Sequence, residues 1–282
     1  MRRLGDVLQR LFESGHFSFY PAFRIHMPVS IPDEEFKSRV VSYEAELEAW
    51  IAHVNDVRKR HYFINFFDLK RLQKLKYALE QESAYGVSVD SDIIREVISF
   101  VNPEYLAQSN TLFGISNALV SGWRAGISAG PAALIAEAIE HGSHTCTTLS
   151  GAAQWSVLLH LELLAKVVGN SLRGIPARVR SVVVDEMDAA VVTDRLSRKV
   201  HVASAPTLRG EYDLCLTIYA IHSMFPEWEN CLICTAQTTF EQVAMLIYRW
   251  HGSQENRRER SLYSLVEVES LTYGTSSYYS WS

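Results

Sequence analysis

Apolar residues recur at three- and four-residue steps through most of the first two-thirds of the chain. The first run, Leu4, Val7, Leu8 and Leu11 in "MRRLGDVLQRLFESG", has the spacing of one helical face and predicts a short amphipathic helix. In "HFSFYPAFRIHMPVS" aromatic and apolar residues alternate with polar ones. That pattern predicts one or two strands, with Pro28 and Pro32 bracketing the exit. Asp33, Glu34 and Glu35 then make an acidic first turn, which suits the positive end of a helix dipole. A single stripe follows: Phe36, Val40, Tyr43, Leu47, Trp50, Ile51, Val54 and Val57. A helix that long with one apolar stripe needs a partner to cover it. Leu69, Leu72, Leu75 and Leu79 predict a second helix, with Asp68 at its cap.

Glycines cut the middle of the chain into further helical patterns: "SDIIREVISFV", "ALIAEAIEHG" and "AAQWSVLLHLELLAKVVG". The last is apolar almost all round, which predicts burial on most sides. "GWRAGISAGP", between the first two, reads as the softest stretch. After Gly169 the texture changes. "ARVRSVVV" and "SRKVHVASA" are rich in strand formers, and "EYDLCLTIYAIHSMF" predicts a helix with Leu214, Ile218, Ile221 and Phe225 on one side. "CLICT" reads as a short buried strand. "TTFEQVAMLIYRWHG" reads as a helix stopped by Gly252, with Thr238 and Glu241 as a capping box and an apolar face of Phe240, Val243, Ala244, Ile247 and Trp250. "LYSLVEVESL" adds a strand, and strand, helix, strand with short connections is a βαβ unit.

The predicted fold is therefore mixed α and β. A mainly helical N-terminal two-thirds precedes an α/β domain with a partly parallel sheet. The segments are 1–32 (a short helix and strands), 33–90 (the long helix and its successor), 91–168 (helical) and 169–282 (α/β). No period of 20–50 residues marks a solenoid.

Composition narrows the function. Hydrophobic residues make up 48% of 282 residues, as in a globular protein. A net charge of −5 argues against nucleic-acid binding by phosphate neutralisation. The basic runs Arg58-Lys59-Arg60 and Arg257-Arg258 read as solvated surface. No stretch has the ~20 apolar residues of a membrane span. The N-terminus lacks the apolar core of a signal peptide, and Asp6 and Glu13 speak against a transit peptide, so a cytoplasmic location is expected. Cys146, Cys215, Cys231 and Cys234 are sparse, which fits a reducing compartment. Cys231 and Cys234 form a C-x-x-C without a second pair. In a strand their side chains diverge, so they read as core cysteines and not zinc ligands.

"VVVDE", ending in Asp185 and Glu186, looks like the metal-holding strand of an ATPase. Such a site first needs an amide cradle and a lysine for the phosphates, and no G-x-x-x-x-G-K-[ST] occurs. "GISAGPAAL" and "GNSLRGIPAR" both lack the lysine followed by a hydroxyl, so the acids read as an ordinary strand end. His141, His144 and Cys146 in "HGSHTCTTLSG" have no orienting acid at a recognisable spacing and read as a loop with capping hydroxyls. Trp50, Trp155 and Trp250 fall on helix stripes and read as core anchors. No catalytic, cofactor-binding or metal-binding residue is assigned, and no cofactor is expected.

"ELEAWIAHVNDVRKRHYFINFFDLKRLQKL" resembles a segment of the mysterin-like family of giant AAA+ ubiquitin ligases with a RING finger. Leu47, Trp50, Val54, Arg58, Tyr62, Asn65, Phe66 and Phe67 hold the matching places, and Asp68 and Arg71 depart from the pattern. A second likeness runs through "FPEWENCLICTAQTTFEQVAMLIYRW" and "LYSLVEVESLTY". It is carried by Pro226, Glu227, Leu232, Cys234, Thr235, Thr238, Thr239, Glu241, Val243 and Arg249, and "ESGHFSFY" near the start agrees with both. The resemblance implies a region upstream of, or at the start of, the AAA+ core. It carries over neither ATP hydrolysis nor ligase chemistry, because neither motif is present.

The expected role is a non-catalytic scaffold or linker. Its apolar helix faces would dock on other modules of the same large chain or on partner proteins, and the tail "YGTSSYYSWS" reads as one cut from something longer. Two alternatives stay open. One is a divergent or degenerate nucleotide-binding module using Asp185 and Glu186, with "GISAGP" as its phosphate loop. The other is a free-standing adaptor in an immune or stress pathway, which the methionine start permits.

Overall fold

The computed structural model describes residues 2–21, 32–102, 105, 111–140, 152–175, 208–222, 224–253 and 262–271. Its helices are α1 (Arg2–Glu13), α2 (Asp33–Arg60), α3 (Leu69–Tyr85), α4 (Ser91–Val101), α5 (Thr111–Ala129), α6 (Pro131–Glu140), α7 (Ala152–Leu172), α8 (Leu208–Ile221) and α9 (Phe240–Gly252). The strands β1 (Cys231–Ile233) and β2 (Ser264–Val266) flank α9, and 3₁₀ turns lie at Phe17–Phe19, Tyr62–Phe66 and Val268–Ser270. The chain divides into two compact units, Met1–Arg178 and Val179–Ser282. As expected, the fold is mixed α and β. Among the described residues it is mostly helical, with one small parallel sheet.

In the first unit α1 lies on α2. Leu4, Val7, Leu8 and Leu11 bury against Val40 and Leu47, and Phe19 closes this small core. The strand expected after α1 is instead a 3₁₀ turn where it is described, and residues 22–31 lie outside the described residues. His16 starts the turn by accepting the Ser18 N–H on Nδ1 at 3.4 Å. In a strand Phe17 and Phe19 would share one face. The tight turn sends Phe17 into the main core and Phe19 into the small one.

The long helix forms as predicted, and Val40, Leu47, Trp50, Val54 and Val57 are its buried stripe. Asp68 caps α3 by accepting the Arg71 N–H at 2.8 Å, and Leu69, Leu72, Leu75 and Leu79 face the core. α7 is buried on most sides, as its composition requires, from Leu158 through Leu172. It packs on α2, α5 and α6.

"GWRAGISAGP" is not soft. Its first eight residues complete α5, where Trp123 is fully buried. A Cβ on Gly122 would lie 3.3 Å from Val167, and one on Gly126 would overlap the Leu163 side chain, so these glycines let α5 approach α7 closely. Each mid-helix glycine costs about 0.5–1 kcal/mol against alanine, and close packing offsets that loss. Gly130, at φ +81°, turns the chain directly into α6, which opens on Pro131.

In the second unit β1 and β2 run parallel, with Cys231 opposite Ser264, Leu232 opposite Leu265 and Ile233 opposite Val266. With α9 between them this is the predicted βαβ unit. Three details differ. The strand "CLICT" is half-buried and not enclosed, with only Cys234 fully covered. The capping box of α9 is Thr239 with Gln242, one residue later than expected. Thr238 is unavailable for that role because its hydroxyl accepts the Thr235 N–H at 2.8 Å. α9 is also rotated, so that Ala244, Met245, Leu246 and Arg249 face inward while Trp250 is 36% exposed. On α8 the buried residue is Tyr219, and Ile221 and, beyond the helix, Phe225 point outward. The strands expected in "ARVRSVVV" and "SRKVHVASA" lie outside the described residues.

Candidate functional site

The positions expected to be solvated surface at Arg58 and Arg60 are instead the electrostatic centre of the first unit. Arg58 is 2% exposed, and its guanidinium donates to the carbonyls of Ile64 and Phe67, each at 3.0 Å. Asn65 donates back to the Arg58 carbonyl at 2.9 Å. The turn that follows α2 has carbonyls with no helical partner, and a fork of N–H groups satisfies two of them at once. Tyr62, Phe63 and Phe66 stack around this turn with ring centroids 5.4–6.4 Å apart. Arg58 is thus a clamp that fixes the α2–α3 junction.

Two residues on, Arg60 crosses to α7. It holds Glu162 bidentately at 2.6 and 2.7 Å and Asp56 at 3.0 Å. The His61 Nε2–H donates to Glu162 Oε1 at 3.0 Å. Burial alone would raise the Glu162 pKa, but the hydrogen bonds and charges of Arg60 and His61 outweigh it and hold the carboxyl down to about 2. Three histidines of the first unit are held below their ordinary pKa. Burial lowers His16 to about 4. Burial also lowers His53, against the opposing Glu162 charge and the bond from Nε2–H to the Leu158 carbonyl. His160 is lowered by burial and by Lys76. A neutral buried histidine next to an ionised carboxylate resembles catalytic pairs, but His53 bonds the Leu158 carbonyl and His61 bonds Glu162, which Arg60 already holds.

In the second unit the Tyr219 hydroxyl ties the two strands together. It lies 3.0 Å from the Leu262 carbonyl, 3.2 Å from the Asn230 carbonyl and 3.0 Å from Ser264 Oγ. Its one proton serves a carbonyl, and Ser264 can donate in return. Arg249 reaches back from α9 to the Glu229 carbonyl at 2.8 Å, with its guanidinium 5.9 Å from the Trp228 ring centroid. Cys215, Cys231 and Cys234 are free thiols around this junction. Burial raises the Cys215 and Cys234 thiols above their ordinary range, and Glu267 adds to the shift on Cys234. A thiol that stays protonated is a poor nucleophile and a poor metal ligand. Among the described residues no group of three histidines, cysteines or acids is placed to hold a metal.

Asp185, Glu186, His141, His144 and Cys146 lie outside the described residues. "GISAGP" is described and is not a phosphate loop. Its amides sit in the last turn of α5 and at Gly130, whose N–H bonds to Ile127 at 3.3 Å. Of the three tryptophans expected as anchors, Trp50 is buried, donating Nε1–H to the Ser14 carbonyl at 3.0 Å. Trp250 is partly exposed, and the Trp155 side chain is not described. Composition hid the roles of Arg60 and Glu162, which are 102 positions apart. The Arg58–Asn65 pair left a trace as polar residues flanking an aromatic run. No helix among the described residues is long and apolar enough to cross a membrane.

Residues 209–280 match the family model of the RNF213 AAA domain. No curated protein and no solved structure matches the chain.

Proposed function

Since residues 209–280 relate this chain to the mysterin-like AAA+ proteins, we propose that it is a non-catalytic scaffold segment of such a protein, docking on neighbouring modules. The observation that carries this reading is a run of exposed apolar residues from the last residue of α8 to β1. Ile221 is 68% exposed, Phe225 74% and Trp228 48%, beside half-exposed Ile233. Large apolar groups left exposed so close together in sequence suit an interface more than a free surface. The residues through which the chain resembles the family support it too. Arg58, Asn65, Thr239 and Arg249 hold turns, caps and strand ends, and none is left pointing at a substrate.

The second unit is a degenerate AAA+-like module on this reading, with a βαβ core and no phosphate-gripping lysine motif. Light scattering with Phe225→Glu and Trp228→Glu tests the docking role. The unmodified chain self-associates at high concentration and binds an apolar dye, and the double variant does neither. A monomer that ignores the dye overturns the proposal. Titration with magnesium–ATP addresses the rival reading, since micromolar binding lost in Asp185→Asn would make the module a working nucleotide site.

A further inference from the structure

Two thiols meet where α8 packs on the small sheet. We propose that Cys215 on α8 and Cys231 on β1 form a reversible disulfide, a redox modification site in the second unit. This goes beyond the scaffold reading and does not rest on it.

Register is the first ground. Cys231 and Ser264 stand opposite one another in the parallel pair, so their side chains leave the same face of the sheet. α8 covers that face. Cys215 Sγ lies 4.0 Å from Ser264 Oγ, and one turn later the Tyr219 hydroxyl lies 3.0 Å from the same oxygen. The Cys215 and Cys231 thiols are thereby within hydrogen-bonding reach of each other. Access is the second ground. Both cysteines are free and partly open to solvent, whereas Cys234 is fully covered. Cys234 also lies an odd number of positions beyond Cys231, which turns its side chain to the opposite face.

The step balances with a low-molecular-weight disulfide as oxidant. One protein thiolate attacks a sulfur of that reagent and expels a thiolate, leaving a mixed disulfide. The second protein thiolate attacks the protein sulfur of the mixed disulfide and expels the other half of the reagent. One S–S bond forms in the protein and one breaks in the reagent, and the two thiol protons pass to the expelled thiolates. Burial and the adjacent Cys231 raise the Cys215 thiol, so closure is slow at neutral pH. A thiol of raised pKa is also a reluctant leaving group, which makes the closed bridge slow to reopen. Closure ties residues 216–230 into a loop that carries Ile221, Phe225 and Trp228. The redox state therefore sets how freely that exposed run moves.

To test this, the full chain is incubated with oxidised glutathione in mildly alkaline buffer, alkylated in denaturant and cut after glutamate. Glu227 and Glu229 separate Cys215 from Cys231, so fragment mass spectrometry reads the linkage directly. A Cys215–Cys231 bridge forms, neither sulfur retains glutathione, and dithiothreitol reverses the change. In Cys215→Ser the glutathione added at Cys231 stays, because no second thiol expels it. Hydrogen exchange over 216–230 slows about tenfold or more on closure, as a loop of that length predicts, while exchange in the first unit is unchanged. Stable glutathione on Cys215 or Cys231 of the unsubstituted chain overturns the proposal. So does a bridge to Cys234 or Cys146 in its place, or a pair that stays reduced. A bridge that leaves exchange over 216–230 unchanged overturns its hold on the exposed run.

Discussion

Arg58→Met isolates the clamp at the α2–α3 junction. Methionine keeps the apolar stem in its slot and removes the guanidinium, so the buried carbonyls of Ile64 and Phe67 lose donors that sit at 3.0 Å. Each orphaned carbonyl costs about 1–3 kcal/mol. Releasing a buried charge from its desolvation penalty returns part of that. The net expectation is a loss of about 3 kcal/mol, a large share of the ~5–15 kcal/mol of a typical domain. With a urea dependence of about 2 kcal/mol per M, the midpoint falls by roughly 1.5 M. Hydrogen exchange gives the unit-specific readout, because amides of 62–67 should lose protection first. Arg58→Lys should rescue only in part, since one ammonium cannot span two carbonyls in the guanidinium plane. Asn65→Ala should couple to Arg58→Met by more than about 0.5 kcal/mol in a double-mutant cycle, because Asn65 donates to the Arg58 carbonyl. A midpoint change below about 0.4 M, or full additivity in the cycle, would refute the clamp.

Acid should destabilise the first unit before its carboxylates titrate. His16, His53 and His160 all have native pKa values below 6.5, so the unfolded chain takes up protons that the native one refuses. Their stabilising neutrality is fully present above pH 6.5 and is lost as pH falls toward 4. His16 alone accounts for about 2 kcal/mol by pH 5, and urea midpoints at pH 7.5 and 5 should differ accordingly, less so in His16→Gln. Below about pH 4.5, protonation pressure on Glu162 adds to the loss in the same direction. Gly126→Ala should cost about 1–3 kcal/mol in thermal unfolding by forcing a methyl into Leu163, and the added change Leu163→Ala should recover part of that. Tyr219→Phe should lose about 1–2 kcal/mol in the second unit alone, seen as faster limited proteolysis there while exchange in the first unit stays unchanged.

What could be read from the residues was periodicity. The α2 stripe, the Leu69–Leu79 face, the all-round burial of α7 and the parallel βαβ order each follow from spacing alone. What could not be read depends on long-range contact. Gly122 and Gly126 in "GWRAGISAGP" look like breakers until α7 comes against them, and then the missing Cβ is what lets Val167 and Leu163 pack there. Basic runs look solvated until the chain turns back and presents carbonyls at Arg58 and a carboxylate at Arg60. The face of α9 depends on such contacts too: Ala244, Met245, Leu246 and Arg249 turn inward, about one residue (about 100°) round from the stripe that spacing suggests.

The resemblance and the structure meet at residues of architecture. Leu47, Trp50, Val54, Tyr62, Phe66 and Phe67 are buried, and Arg58 and Asn65 lock the turn between them. In the second unit Thr239 caps α9, the Cys234 N–H bonds to the Val266 carbonyl at 2.8 Å, and Arg249 holds the chain before β1. Substituting such residues disturbs a fold before it disturbs any reaction, so a likeness carried by them transmits shape and is silent on chemistry. Chemistry must therefore be sought in groups that the fold holds but does not need. The exposed Phe225 and Trp228 meet that description at the surface.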